Sequence, residues 1–287
     1  MKASFLLLLF LIVLLGGGVV LLKRRSAEPT APASSASRLS DPEKVRIQEF
    51  WKRFREAEAL RRRGDWEASV LQYRGALELD PDHERSLYHL ANCLIELGRY
   101  ADSLEPLEHL VEVAPLSQRA HLQLGLVRSC PSAGEVFDLD SAERELRRAV
   151  EINLEESGAL LRLAGVVLVQ GRLDEAAELY ALANQSNFRA VEGYYVRAYV
   201  DWKNGREEPA RALLQEAVRQ MGRPEVVAGV PGEGDTREGD RLPPTTIEAK
   251  RLVQPFWNGL DERLTGEFDL EAEFASLESW LSRLKKP

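Results

Sequence analysis

The sequence predicts an all-α chain in which helical hairpins stack into a solenoid, and three observations carry that expectation. Gly64 and Gly98 stand 34 residues apart, and so do Gly171 and Gly205. Pro81 and Pro115 repeat the same interval. The stretches between these punctuation marks carry helical apolar periods rather than strand alternation. From Gly98 to Gly171 the spacing is 73, two periods and five more. The surplus falls in CPSAGEVFDLD, Cys130 to Asp140, which is rich in turn formers, so one insertion of five residues restores the register.

The repeat has a physical logic. Each unit's first helix carries a small residue where two helices must cross closely: Ala57, Ala91, Gly125, Ala164 and Ala198. The second helix matches it with Ser69, Ser103, Ala142, Ala176 and Ala210. Larger side chains stand beside them at Tyr73, Leu107, Leu146, Tyr180 and Leu214, followed by Ala76, Leu110, Ala149, Ala183 and Ala217. One hairpin cannot bury such a surface alone, so stacking must stabilise it. The first unit opens with Ser40-Asp41-Pro42-Glu43, a helix-start signature, and Val45, Phe50, Phe54, Ala57 and Leu60 continue an apolar face.

Segments such as GDWEASVLQYRGALELDP from Gly64, LYHLANCLIELGRYADSLEPLEHLVEVAP from Leu87, LLRLAGVVLVQGRLDEAAELYALA from Leu160 and YYVRAYVDWKNGREEPARALLQEAV from Tyr194 resemble the tetratricopeptide repeat family. The resemblance implies a right-handed solenoid over 41–220, with about five units near 50–83, 84–117, 118–156, 157–190 and 191–222. The first unit departs from the pattern with Arg53 and Glu56 where the family favours large apolar residues. The third lacks the turn glycine at its usual place, and the last three end without the closing proline.

The flanks read differently. Phe5 to Leu22 is an uncharged apolar run of 18 residues. As a helix it rises about 27 Å, close to a hydrocarbon core of about 30 Å. Lys23, Arg24 and Arg25 end it, which suits an uncleaved anchor over 1–25 better than a signal peptide. The positive-inside rule then favours a cytoplasmic body, with the opposite side left open. Residues 26–40 are a Pro-, Ala- and Ser-rich linker. Residues 221–244 form a Gly-, Pro- and acid-rich loop, and 245–287 resume as helices, with Pro255 interrupting the first of them. Leu270, Phe274, Leu277, Leu281 and Leu284 make one stripe on a last helix from about Glu267 to Lys285. This pair either caps the solenoid or offers a helix to a partner.

Composition excludes several functions. The formal charge is -8 without a basic domain, against the clustered Lys and Arg that nucleic acid requires. Cys93 and Cys130 form no CxxC pair, and His83, His89, His109 and His121 fall at unrelated repeat positions, so no metal site is expected. His121 reads as a packed core histidine. No nucleotide loop, dinucleotide fingerprint or HExxH is present, and the 232–240 stretch lacks a calcium loop's spacing. No enzyme activity, cofactor or small-molecule substrate is expected. Arg53, Arg55, Arg61, Arg62 and Arg63 near the anchor, interspersed with Glu56 and Glu58, read as a solvated helix rather than a lipid contact.

The family resemblance implies a groove lined by the first helices and used to hold other proteins. Carried onto this chain, it places there Tyr88, Asn92 and Glu96 of the second unit, and Arg119, Leu122, Gln123 and Leu126 of the third. The fourth adds Leu161, Arg162, Gly165 and Leu168, and the fifth Glu192, Tyr195, Tyr199 and Trp202. The last three aromatics either bind a partner or pack beneath the carboxy-terminal helices. Some relatives grip a terminal carboxylate with Lys, Asn and Arg. Asn92 and Arg162 match that clamp and Gln123 comes near it, but Tyr88 and Gly158 stand where lysines are needed. The expected function is a membrane-tethered scaffold or adaptor for protein complexes, or else a chaperone-like assembly factor.

Overall fold

A computed structural model describes residues 40–221, 252, 256, 259–264 and 268–284. The apolar run 5–22, the linker before Ser40, the 222–244 stretch, the expected helix start at 245 and Pro255 lie outside the described residues. Among the described residues no helix is long and apolar enough to cross a membrane.

Five hairpins follow one another in the chain. They are α1 (Asp41–Arg62) with α2 (Trp66–Leu77), α3 (Glu84–Glu96) with α4 (Tyr100–Val113), and α5 (Gln118–Arg128) with α6 (Leu139–Ile152). Then come α7 (Ser157–Val169) with α8 (Leu173–Ser186), and α9 (Val191–Lys203) with α10 (Glu207–Met221). The two helices of each hairpin pack together, and the second helix of each of the first four units packs on the first helix of the next. No strand occurs among the described residues.

The four glycines that set the period are the hinges. Gly64, Gly98, Gly171 and Gly205 all take φ between 72° and 88°. This is the left-handed region, which glycine enters without steric cost. Each ends its first helix in the same paired motif. The glycine N–H reaches the carbonyl three residues back, as Gly98 does to Ile95 at 2.9 Å. The next N–H reaches five residues back, as Arg99 does to Leu94 at 2.8 Å. The third unit turns by another device. Its insertion forms a 3-10 turn over Pro131–Val136, and the Asp138 N–H closes the loop on the Arg128 carbonyl at 2.8 Å. Asp138 then caps α6, its carboxylate accepting from the Asp140 and Ser141 N–H groups.

The crossing residues are buried as their sizes require. Ala57, Ala91, Ala164 and Ala198 have no exposed surface, and neither do Tyr73, Leu107, Leu146, Tyr180 and Leu214. The first unit's departures from the repeat pattern fit its place at the start of the stack. No unit precedes it among the described residues, so its outer face is polar. Arg53 pairs with Glu49 at 3.0 Å and lies across Gly75 of α2. Val45 does not continue the apolar face. It is 64% exposed, because the early turns of α1 precede the first hairpin.

Beyond α10 the chain contributes α11 (Leu260–Arg263) and α12 (Leu270–Leu284). Leu270, Phe274, Leu277 and Leu281 of α12 are buried, the stripe expected from their spacing.

Candidate protein-binding face

The residues expected to line the groove differ in exposure along the stack, and Leu126, Leu168 and Glu192 are buried rather than open to a partner. In the second and third units Tyr88, Asn92 and Gln123 are half-buried and Arg119 is exposed. The Gln123 amide donates to the Tyr88 hydroxyl at 3.5 Å. Beside them is an aromatic cluster that the sequence reading did not single out. Trp51 is 43% exposed, and its ring centroid lies 5.0 Å from Phe50 and 5.7 Å from Phe54. His83 closes the cluster and caps α3, its ring accepting from the Ser86 N–H. The Arg85 guanidinium sits over the Phe54 ring at 5.2 Å.

Beneath this face lies a buried ionic cluster, and the expectation that the charges of α1 are solvated is corrected at Glu58 and Arg61. Glu58 and Arg61 are 8% and 9% exposed. Arg61 donates to Glu58 at 3.0 Å, the Tyr73 hydroxyl donates to the same carboxylate, and His89 Nε2 stands 3.5 Å from it. Burial pushes the Glu58 carboxyl up, but the hydrogen bonds from Arg61 and Tyr73 outweigh it and hold it below the usual range. A buried charge persists only when paired in this way.

His89 gives this cluster a pH dependence. Burial, and then the charge of Arg61, lower its pKa from 6.5 to about 4, against the attraction of Glu58. Arg85 and Arg119 add to the lowering. The folded chain therefore favours neutral His89. Its contribution to stability is complete above pH 6.5 and is lost as pH falls toward about 4. The thermal midpoint should drop between pH 7 and pH 5, and His89→Phe should flatten much of that drop. An unchanged pH profile in the variant would assign the acid sensitivity elsewhere.

The far end of the face is covered by the chain itself. Tyr195 and Tyr199 are 1% and 4% exposed, and Trp202 is half-buried. Their rings meet Phe274 of α12 at 5.6, 5.5 and 5.4 Å. The Tyr195 hydroxyl donates to Glu273 at 3.2 Å and the Tyr199 hydroxyl to Glu278 at 3.4 Å. Burial and the Glu278 charge push the Tyr199 phenol up to about 12. Lys203 pairs with Glu278, and Arg263 donates to Glu273. Leu252 packs over Gly165 of the fourth unit, and the Trp280 indole donates to the Leu252 carbonyl. Of the two readings for the three aromatics, packing beneath the carboxy-terminal helices describes this structure. At the fifth unit α12 lies over this end of the face. Arg162 is half-buried, and Tyr88 and Gly158 stand at the positions where a carboxylate clamp needs lysines.

His121 is buried, with Glu145 at 2.8 Å from one ring nitrogen and the Pro115 carbonyl at 3.2 Å from the other. Among the described residues no three His, Cys, Asp or Glu side chains group to hold a metal ion.

Comparison with known proteins agrees with this geometry. A tetratricopeptide repeat family profile matches residues 54–112 and 133–188. A curated relative, the tetratricopeptide repeat and J domain-containing co-chaperone of Fusarium oxysporum f. sp. lycopersici, is 26% identical over 161 residues. That alignment covers 54% of this chain and 30% of the relative, so the chain spans under a third of the relative's length. The crystal structure of MamA superposes with a TM-score of 0.54 at 21% identity, covering 61% of this chain and 97% of MamA. YrrB, described as a TPR protein with an unusual peptide-binding site, gives 0.53 at 19%, covering 65% and 96%. The hinge glycines, the buried crossing residues and these matches together show a solenoid of helical hairpins in which residues 54–112 and 133–188 carry tetratricopeptide repeats.

Proposed function

We propose that this protein is a membrane-tethered scaffold that assembles protein complexes by holding a partner on the first-helix face of its second and third units. One observation supports this reading above others. Tyr88, Asn92, Gln123 and Arg119 stand on a face that α12 leaves uncovered, whereas α12 covers the corresponding face of the fifth unit. Tethering through residues 5–22 restricts the search for partners to the membrane plane and raises their effective concentration. The basic flank at Lys23, Arg24 and Arg25 supports a cytoplasmic body. A second reading, a chaperone-like assembly factor, draws support from the co-chaperone named among the relatives.

A pull-down of the full-length protein from mild detergent, beside a Tyr88→Ala/Asn92→Ala variant, tests the reading. A short stoichiometric partner list lost in a folded variant is the scaffold result. Many substoichiometric clients are the chaperone result. A list unchanged in the variant sinks the face assignment. Removal of residues 1–25 should release the protein from the membrane fraction, and retention there would sink the tether.

A further inference from the structure

The face left open has a chemistry of its own. In a chain of net charge -8, Arg85 and Arg119 stand one repeat apart at equivalent places on α3 and α5, and both are exposed. Neither makes an ion pair among the described residues, and Arg85 instead stacks on Phe54. An exposed arginine that finds no internal carboxylate keeps its planar donor fork for an external one. Phe54, beneath Arg85, is buried, and beside it Trp51 stands exposed. The convergence of cations is felt at His89, where the charges of Arg61, Arg85 and Arg119 all favour the neutral ring.

The covered end shows what such a face holds. There α12 presents Phe274 between Glu273 and Glu278 to a first helix. The ring meets aromatics, and the carboxylates are met by tyrosine hydroxyls and by Lys203. The open end offers the same complement in another arrangement, aromatics for a ring and cations for flanking carboxylates.

We propose that the open face formed by α1, α3 and α5 takes an acidic segment of a partner protein in which an aromatic side chain is flanked by carboxylates, with Trp51 receiving the ring and Arg85 and Arg119 the charges. This rests on the reading of that face as the partner-binding surface, and it names the partner's chemistry. The opposed charges also steer encounter, so binding should weaken with salt.

The test uses the full-length protein in mild detergent at low salt and three fluorescein-labelled synthetic peptides. The first carries a central phenylalanine between glutamates, the second has lysines for the glutamates, and the third has serine for the phenylalanine. The first should bind at least about tenfold more tightly than the second, two exposed charge contacts being worth about that much. Arg85→Glu with Arg119→Glu should weaken the first peptide about tenfold and strengthen the second. Such a reversal cannot come from misfolding. Trp51→Ala should erase the difference between the first and third peptides. Equal binding of acidic and basic peptides, or no response to charge reversal, overturns the proposal. If the partner list is still lost in Tyr88→Ala/Asn92→Ala, the face assignment survives that failure. Dimerisation that excludes the peptides and is abolished by the charge reversal would assign the face to a second copy and likewise overturn the proposal.

Discussion

Replacing Phe274 by alanine should detach α12 from the fifth unit. The ring is fully buried and meets Tyr195, Tyr199 and Trp202 at once, so its loss removes the centre of the contact. Truncating a buried aromatic costs about 3–5 kcal/mol. In a solenoid that loss is felt mainly by the neighbouring unit, because each unit contacts only the next. Most helicity should therefore survive, while α12 becomes sensitive to protease. A second readout is specific to the contact. The Tyr199 phenol, held at about 12 by burial and by Glu278, should titrate back toward its ordinary 10.0. Glu278→Gln removes the charge and leaves the ring in place, so it should move the titration without releasing the helix. If Phe274→Ala leaves α12 protected and Tyr199 unshifted, the contact is not what holds the segment down.

The repeat was legible in the sequence because its signals are local and periodic. A hinge needs φ near +72°, which glycine supplies, so Gly98 and Gly205 announce themselves one by one. The crossing alanines are equally legible, since a close approach restricts side-chain size whatever else surrounds it. The groove was less so. A bulky aromatic such as Tyr195 looks the same whether a partner or the chain's own α12 covers it, because both demand a large surface with a polar tip. Only the tertiary contact with Phe274 separates the two readings. The Glu58–Arg61 pair was hidden for a related reason. Spacing of three on a helix ordinarily signals a solvated ion pair, and what buries this one is the distant Tyr73 and His89. Val45 failed in the opposite direction: it has the right period but lies in the early turns of α1, where nothing among the described residues covers it.

Gly125 and Gly75 are both helical glycines, and their substitutions should carry opposite signs. A Cβ at Gly125 would lie 2.5 Å from Cγ and 2.7 Å from Cδ2 of the fully buried Leu146, and 3.3 Å from the Ala142 carbonyl oxygen. Leu146 belongs to the hairpin partner, so neither atom can yield without moving α6 away from α5. Gly125→Val should therefore cost about 2–3 kcal/mol of overpacking, read as a lower urea midpoint. At Gly75 the nearest atom is Arg53 Nη1, the free end of a long, partly exposed side chain that can swing into solvent. Gly75→Ala should then show the helix-propensity gain of about 1 kcal/mol with little against it. The same sign for both substitutions would defeat the argument that close approach of α5 and α6 selects glycine. Arg119 rides on α5 one turn and a half before Gly125, so spreading this hairpin displaces the open face. Gly125→Val should accordingly weaken binding of the glutamate–phenylalanine peptide, whereas Gly75→Ala leaves it unchanged.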